Sequence, residues 1–220
     1  MQPIWLLNFH GLGTPPPHVG AAEARYWLTA TAFDDFLAAI DGLPHVELTF
    51  DDGNRSDLDL AVPALARRRR FATFFVCAGR VGEPSYLGAG DLRALVAAGM
   101  SVGSHGWAHR SWRGLLPPEQ AREWSDARQA IADHLGQQID AAACPFGEYD
   151  RAALRGLRAA GFRRIYTSDG GPTWSRRGLL ARRTITCDDD PLAVGADVRR
   201  PPAPLARVRL RLREILKGWR

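Results

Sequence analysis

The chain has 220 residues, 45% hydrophobic and 24% charged, which suits one globular domain with a substantial core and excludes a disordered chain. There is no Gly-X-Y period or heptad run, and no apolar stretch approaches the ~20 residues of a membrane-spanning helix. The net charge is 29 − 24 = +5, nearly all from arginine because Lys217 is the sole lysine; such a balance permits nucleic-acid, anionic-lipid or acidic-glycan partners and selects none.

In chain order, a short apolar run over 4–9 predicts a buried strand that stops at His10-Gly11. Phe33, Phe36, Leu37 and Ile40 recur at helical spacing, with Thr31 as the expected N-cap. A second strand over 46–50 ends at Asp51-Asp52-Gly53. Residues 57–69 read as helical, with Pro63 an interruption, and 71–76 as a third strand. Asp91 is expected to cap a helix that stops at Gly99, and a strand over 100–104 runs into His105. The longest predicted helix spans 117–135, with Trp124, Ala127, Ile131 and Leu135 on one face and Gly136 at its end. A strand over 139–144 leads to Pro145-Phe146-Gly147, and a helix over 150–160 is closed by Gly161. Two more strands are expected over 163–168 and 182–187.

About seven strands with helices between most of them predict parallel strands and an α/β fold. Residues 1–198 read as one domain. The run Arg199-Arg200-Pro201-Pro202-Ala203-Pro204 reads as a linker to a basic amphipathic helix, so 199–220 forms a second unit. Residues 1–9 lack a positive n-region and a cleavage-like site. With only Cys77, Cys144 and Cys187, taken as reduced thiols, this sets the expectation of a cytoplasmic protein.

Candidate chemical groups collect at the ends of predicted strands. His10 ends the first, Asp51 and Asp52 the second, and His105 and His109 follow the fourth. In a parallel barrel those ends converge on one face. His105 and His109 are four apart, which on a helical turn puts both rings on one side. Alone, the pair reads equally well as two surface histidines. Beside Asp-Asp-Gly it reads as a zinc-type set, with Asp52 as the carboxylate ligand and Asp51 free to act as a base.

Leu48-Thr49-Phe50-Asp51-Asp52-Gly53 resembles the first motif of the polysaccharide deacetylase family, also known as the NodB-homology domain or carbohydrate esterase family 4. Ser104-His105-Gly106-Trp107-Ala108-His109 resembles its His-[Ser/Thr]-x-x-His motif, and the segment from Ala143 to Asp150 resembles its third. The resemblance implies a deformed (β/α) barrel that removes N-acetyl groups from amino sugars of a glycan or lipid-linked saccharide. Asp52, His105 and His109 would hold a divalent metal, usually Zn²⁺, and Asp51 would be the base. The third motif, Pro145, Phe146 and Gly147, would contact substrate, with the Phe146 backbone N–H at the oxyanion.

The chain departs from the pattern at three points. Ala143 stands where many members carry an arginine that orients the base. Gly106 stands where Ser or Thr is usual. No histidine follows His134, so the family's C-terminal acid is missing. Asn8-Phe9-His10 resembles the Tyr-His of a subgroup in which an N-terminal histidine takes the acid role, and His10 is assigned that role here. The alternatives left open are an amidohydrolase or O-acetyl esterase of the same fold, and a glycan-binding module without turnover.

Trp107 and Trp174 are candidates for a sugar-stacking wall, core packing being the other reading. Cys144 follows three alanines and reads as a small buried thiol. The Arg67–Arg70 run sits at a helix end without interleaved aromatics, so no nucleic-acid partner is expected. The segment 205–220 puts Leu205, Val208, Leu212, Ile215, Leu216 and Trp219 on one face with arginines mostly elsewhere. It reads as a contact for an anionic membrane, at its inner face if the protein is cytoplasmic, or for the barrel or a second subunit.

Overall fold

The computed structural model describes residues 3–203 and 205–218. Its one sheet contains β1 (Trp5–Phe9), β2 (Val46–Phe50), β3 (Ala72–Val76), β4 (Ser101–Ser104), β5 (Ala141–Ala143), β6 (Arg164–Thr167), β7 (Gly178–Ala181) and β8 (Arg183–Thr184). The order is β7-β6-β5-β4-β3-β2-β1-β8, and every neighbouring pair is parallel. Helices α1 (Ala21–Ala24) and α2 (Ala30–Ala39) follow β1, α3 (Val62–Arg67) follows β2, and α4 (Ala89–Ala97) follows β3. Helices α5 (Pro117–Gln120) and α6 (Ala127–Leu135) follow β4, α7 (Arg151–Ala159) follows β5, and α8 (Pro191–Arg199) and α9 (Ala206–Gly218) follow β8.

The strands at the two ends of the sheet, β7 and β8, are halves of one extended segment separated only by Arg182. Its first half pairs with β6 and its second with β1, so this segment closes the sheet into a (β/α) barrel. The backbone N–H of Arg182 still bonds the Thr167 carbonyl, and that of Ile185 bonds Asn8. Eight strands therefore stand where about seven were expected. The strand anticipated over 182–187 is the tail of a run that begins at Gly178.

Alternation along the strands sorts two cores. Inside the barrel, Leu6, Phe75, Ala141, Ala143, Tyr166 and Leu180 pack together. Outside it, Phe9, Phe50 and Phe74 pack with Phe33 and Phe36 of α2 in stacked and edge-on contacts. Each of these rings is almost fully buried and contributes about 1.5–3 kcal/mol by leaving water.

Local chemistry moves three expected boundaries. The N-cap of α2 is Thr29, whose hydroxyl accepts from Ala32 N–H, and not Thr31. Residues 57–61 form a π-turn that runs directly into α3, so Pro63, the second residue of α3, lies where the hydrogen-bond pattern changes from π to α. Asp91 sits three residues inside α4 and reaches back to the Gly88 N–H. The long helical run over 117–135 is observed, but residues 121–126 are a π-turn that carries Glu123 and Trp124 inward. Of the anticipated linker and terminal helix, Pro204, Trp219 and Arg220 lie outside the described residues.

Candidate active site

The C-terminal ends of β1, β2 and β4 and the turn after β5 surround a cavity of about 330 Å³. Its walls include His10, Asp51, Asp52, His105, His109 and Phe146, six residues singled out from the sequence. Backbone strain is concentrated here. Five non-glycine residues have positive φ among the described residues, and three of them, Asp52, His109 and Phe146, line this cavity.

Asp52, His105 and His109 bring one ligand atom each within 4.8 Å of one another. Asp52 Oδ1 lies 3.7 Å from His105 Nε2 and 3.1 Å from His109 Nε2, and this buried oxygen has no hydrogen-bond donor. A tetrahedral ion with bonds of about 2.0–2.2 Å needs ligand separations near ~3.4 Å, which these distances bracket. His105 Nδ1 stands 2.9 Å from the Ala143 carbonyl, which can only accept, so Nδ1 carries the proton and Nε2 faces Asp52 with a lone pair. Burial pushes the His105 ring down to about 4 despite the nearby Asp51 and lowers His109 too, so both rings are neutral donors near pH 7. The residues present fit a divalent cation of the zinc type.

The histidine pair is not helical as expected. It sits on a loop with Gly106 at φ +83° and His109 at φ +51°. Glu123 holds that loop by accepting from Trp107 N–H at 2.9 Å, Ala108 N–H at 3.1 Å and Trp112 Nε1 at 3.4 Å. A Cβ on residue 106 would lie 2.4 Å from Glu123 Oε2. Glycine at 106 is therefore no lost contact: the buried glutamate fills that space and carries the loop itself.

Asp51 is almost fully buried and gripped from two sides. Arg182 Nη1 donates to Oδ1 and Nη2 to Oδ2, both at 2.7 Å, and Asn8 Nδ2 donates to Oδ2 at 2.9 Å. Asn8 Oδ1 in turn accepts from Thr49 at 2.7 Å and from Arg182 at 2.8 Å. Burial by itself would raise the Asp51 carboxyl. The Arg182 charge, seconded by His105, overrides it and holds Asp51 well below the usual carboxylate range. Ala143 faces the barrel interior in β5, and the arginine absent there is supplied by the closing segment. The sequence reading missed Arg182, although an arginine two residues past the inward Leu180 on an apolar strand carries the signal.

His10 lines the cavity, its ring tilted against Tyr26 with centroids 4.9 Å apart and its Nδ1 buried without a partner. Phe146 is 60% exposed and lies 4.6 Å from the His109 ring, while Pro145 and Gly147 are buried beneath it and shape its turn. Neither tryptophan proposed for the sugar wall reaches this cavity. Trp107 packs under Arg122 and against Gly79, and Trp174 lines a separate cavity beside α7 and α9. Both lie on loops, whose side chains obey no period that the sequence could report. The aromatic walls are instead Tyr26, Trp27, Tyr86 and Phe146.

A profile of the polysaccharide deacetylase family matches residues 41–165, more than half of the chain and inclusive of Asp51, Asp52, His105 and His109. The chain belongs to the polysaccharide deacetylase family. It is 26% identical over 140 residues, 64% of its length, to the Bacillus subtilis protein YxkH, provisionally named a polysaccharide deacetylase, and spans about half (50%) of that curated relative. Its fold is similar to the Streptococcus pyogenes deacetylase PplD, solved with acetate, at a TM-score of 0.79 and 22% identity over 90% of this chain and 99% of that one. It is also similar to IcaB from Ammonifex degensii at a TM-score of 0.73 and 24% identity over 91% and 98%. Within this deacetylase family chain, His10 and Arg182 lie outside the matched segment; His10 lines the cavity beside the motif residues, and Arg182 is fully buried behind Asp51.

Proposed function

We propose that the protein is a metal-dependent hydrolase that removes N-acetyl groups from amino sugars of a glycan or lipid-linked saccharide. The observation that carries this reading is the pairing of the part-buried Asp52–His105–His109 cluster with a second carboxylate, Asp51, locked in its charged form beside it. Asp52, His105 and His109 would hold a divalent cation, most simply Zn²⁺, which when bound supplies Lewis acidity toward the amide carbonyl and toward water.

The chain's own groups do the rest. Asp51, held ionised by Arg182 and Asn8, accepts the proton of the attacking water. The fork of Arg182 keeps the carboxylate in one orientation, so little of its geometry must be found again in each turnover. The Phe146 backbone N–H, on a turn held by buried Pro145 and Gly147, donates to the oxyanion. His10 delivers a proton to the departing amine. Tyr26, Trp27, Tyr86 and Phe146 offer flat apolar faces to a sugar ring and screen the carbonyl from bulk water.

The test is acetate release from N-acetylhexosamine oligosaccharides and glycolipids, using chelated protein before and after Zn²⁺ is restored, with Asp51→Asn as control. Release that returns with Zn²⁺ and is absent in Asp51→Asn is the expected result. Release only from O-acetyl esters or non-sugar amides would reassign the substrate. Glycan binding without any release would make this a binding module.

A further inference from the structure

Helix α9 has two sides in different use. Inward, Leu210 is half-buried, Arg213 Nη1 donates to the Asp169 carbonyl at 2.6 Å, and Leu210, with Arg211 and Ile215 at the rim, lines a cavity of about 470 Å³ beside α7 and Trp174. Outward, Leu205, Val208, Leu212, Ile215 and Leu216 are 59%, 53%, 53%, 52% and 64% exposed. At about 100° per residue these five fall within an arc of about 100°, with Arg209 bordering one edge and Arg211 the other. The helix carries Arg207, Arg209, Arg211, Arg213 and Lys217 against Glu214, a net charge of 5 − 1 = +4.

The charge selects among occupants. The barrel is met by the other side of the helix and reaches only the Ile215 edge of this stripe, leaving Leu205, Val208, Leu212 and Leu216 uncovered. A second copy would set one +4 helix against another, with arginines bordering both stripes. An anionic phospholipid surface satisfies both features: apolar side chains enter the boundary between headgroups and acyl chains, and bordering guanidinium groups meet lipid phosphates. Arg151, Arg158 and Arg177 add positive charge around the adjoining cavity.

We propose that α9 seats the protein on an anionic phospholipid surface. The contact also bears on the catalytic face. The carbonyl that anchors Arg213 belongs to Asp169, next to Ser168 in the wall of the active-site cavity, so α9 is tied to the chain beside that cavity. This inference goes beyond the deacetylase reading and does not depend on it.

The experiment is flotation of the full chain with phosphatidylcholine vesicles, with and without phosphatidylglycerol. The expected result is partition about tenfold or more stronger onto the anionic vesicles, reversed by high salt. The exposed double variant Leu212→Asp/Leu216→Asp should stay in the aqueous fraction with an unchanged melting temperature. Equal partition of that variant, or no partition of the wild type, would overturn the proposal. So would a wild-type dimer in sedimentation velocity that the same variant dissociates, since the stripe would then be a self-interface. None of these readouts needs turnover, so an inactive enzyme would not be mistaken for one that cannot bind lipid.

Discussion

Arg182 grips Asp51 with two parallel 2.7 Å hydrogen bonds inside the barrel, from the strand segment that closes it. The pair is therefore a fold element and, under the proposed function, a support for the base. Arg182→Met leaves Asp51 buried and uncompensated, and should cost about 3–5 kcal/mol in urea unfolding. Asp51 is held below its unfolded value of about 3.9, so the stabilisation is full above that pH and fades as pH falls toward the depressed value. The acid limb of the stability curve should therefore flatten in Arg182→Met. Arg182→Lys keeps the charge and loses the fork. It should lower kcat about 10–100-fold at nearly constant KM, and add little in an Asp51→Asn background. A loss confined to KM would remove Arg182 from the role of positioning the base.

Glu123 and Gly106 act as one device, since the carboxylate fills the space of the missing side chain and holds Trp107 and Ala108 N–H. Glu123→Ala leaves those donors without acceptors, costing about 1–3 kcal/mol, and frees the loop that presents His109. Competition against a chromophoric chelator should show Zn²⁺ affinity about 10–100-fold weaker. Gly106→Ala should move affinity the same way, because its Cβ meets Glu123 Oε2 at a φ of +83°. Unchanged affinity in Glu123→Ala would show that the loop holds itself.

The metal-type cluster was legible because each part is local. Asp51-Asp52-Gly53 and the His105–His109 spacing sit at strand ends, and parallel alternation alone says those ends meet. Arg182 was not legible in that way, because its place depends on which two strands the segment 178–184 bridges, a decision made by barrel closure. Glu123 was hidden for a related reason. A π-turn within a helix shifts the face on which a residue points, and a 3.6 period read through 117–135 does not register the shift. Trp107 was a candidate for the wall because it flanks the histidine pair and Trp174 because it follows Gly170-Gly171-Pro172, and loop conformation sets both outside the active-site cavity.

Asp57 works against the fold. Its carboxyl is fully buried, and neither oxygen has a hydrogen-bond partner. Burial first, then the charges of Asp52 and Asp51, raise it well above its ordinary value, with Asn54 opposing only weakly. The sign is the reverse of that for Asp51. Below the unfolded value of about 3.9 both states are protonated and the group is neutral to stability. As pH rises toward the folded value, the unfolded state ionises alone and the native state loses about 1.4 kcal/mol per pH unit. Asp57→Asn removes this linkage. The variant should gain on the wild type in urea unfolding between pH 4 and neutrality, and the two curves should converge at lower pH. Curves that stay parallel across that range would show that Asp57 is as easily ionised folded as unfolded.

His10 is the remaining candidate for the proton given to the leaving group, with its ring tilted against Tyr26 and its Nδ1 buried without a partner in the cavity wall. An acid matters in proportion to how poorly the leaving group departs. An amine leaves only when protonated, whereas the phenolate of an aryl acetate leaves unaided. His10→Gln should therefore lower kcat on an N-acetyl sugar by about 10²–10⁴-fold and leave aryl acetate hydrolysis nearly unchanged. Zn²⁺ affinity should be preserved, because His10 is outside the Asp52–His105–His109 cluster. An equal loss on both substrates would instead make His10 a support for the cavity wall, because a structural defect does not discriminate between leaving groups.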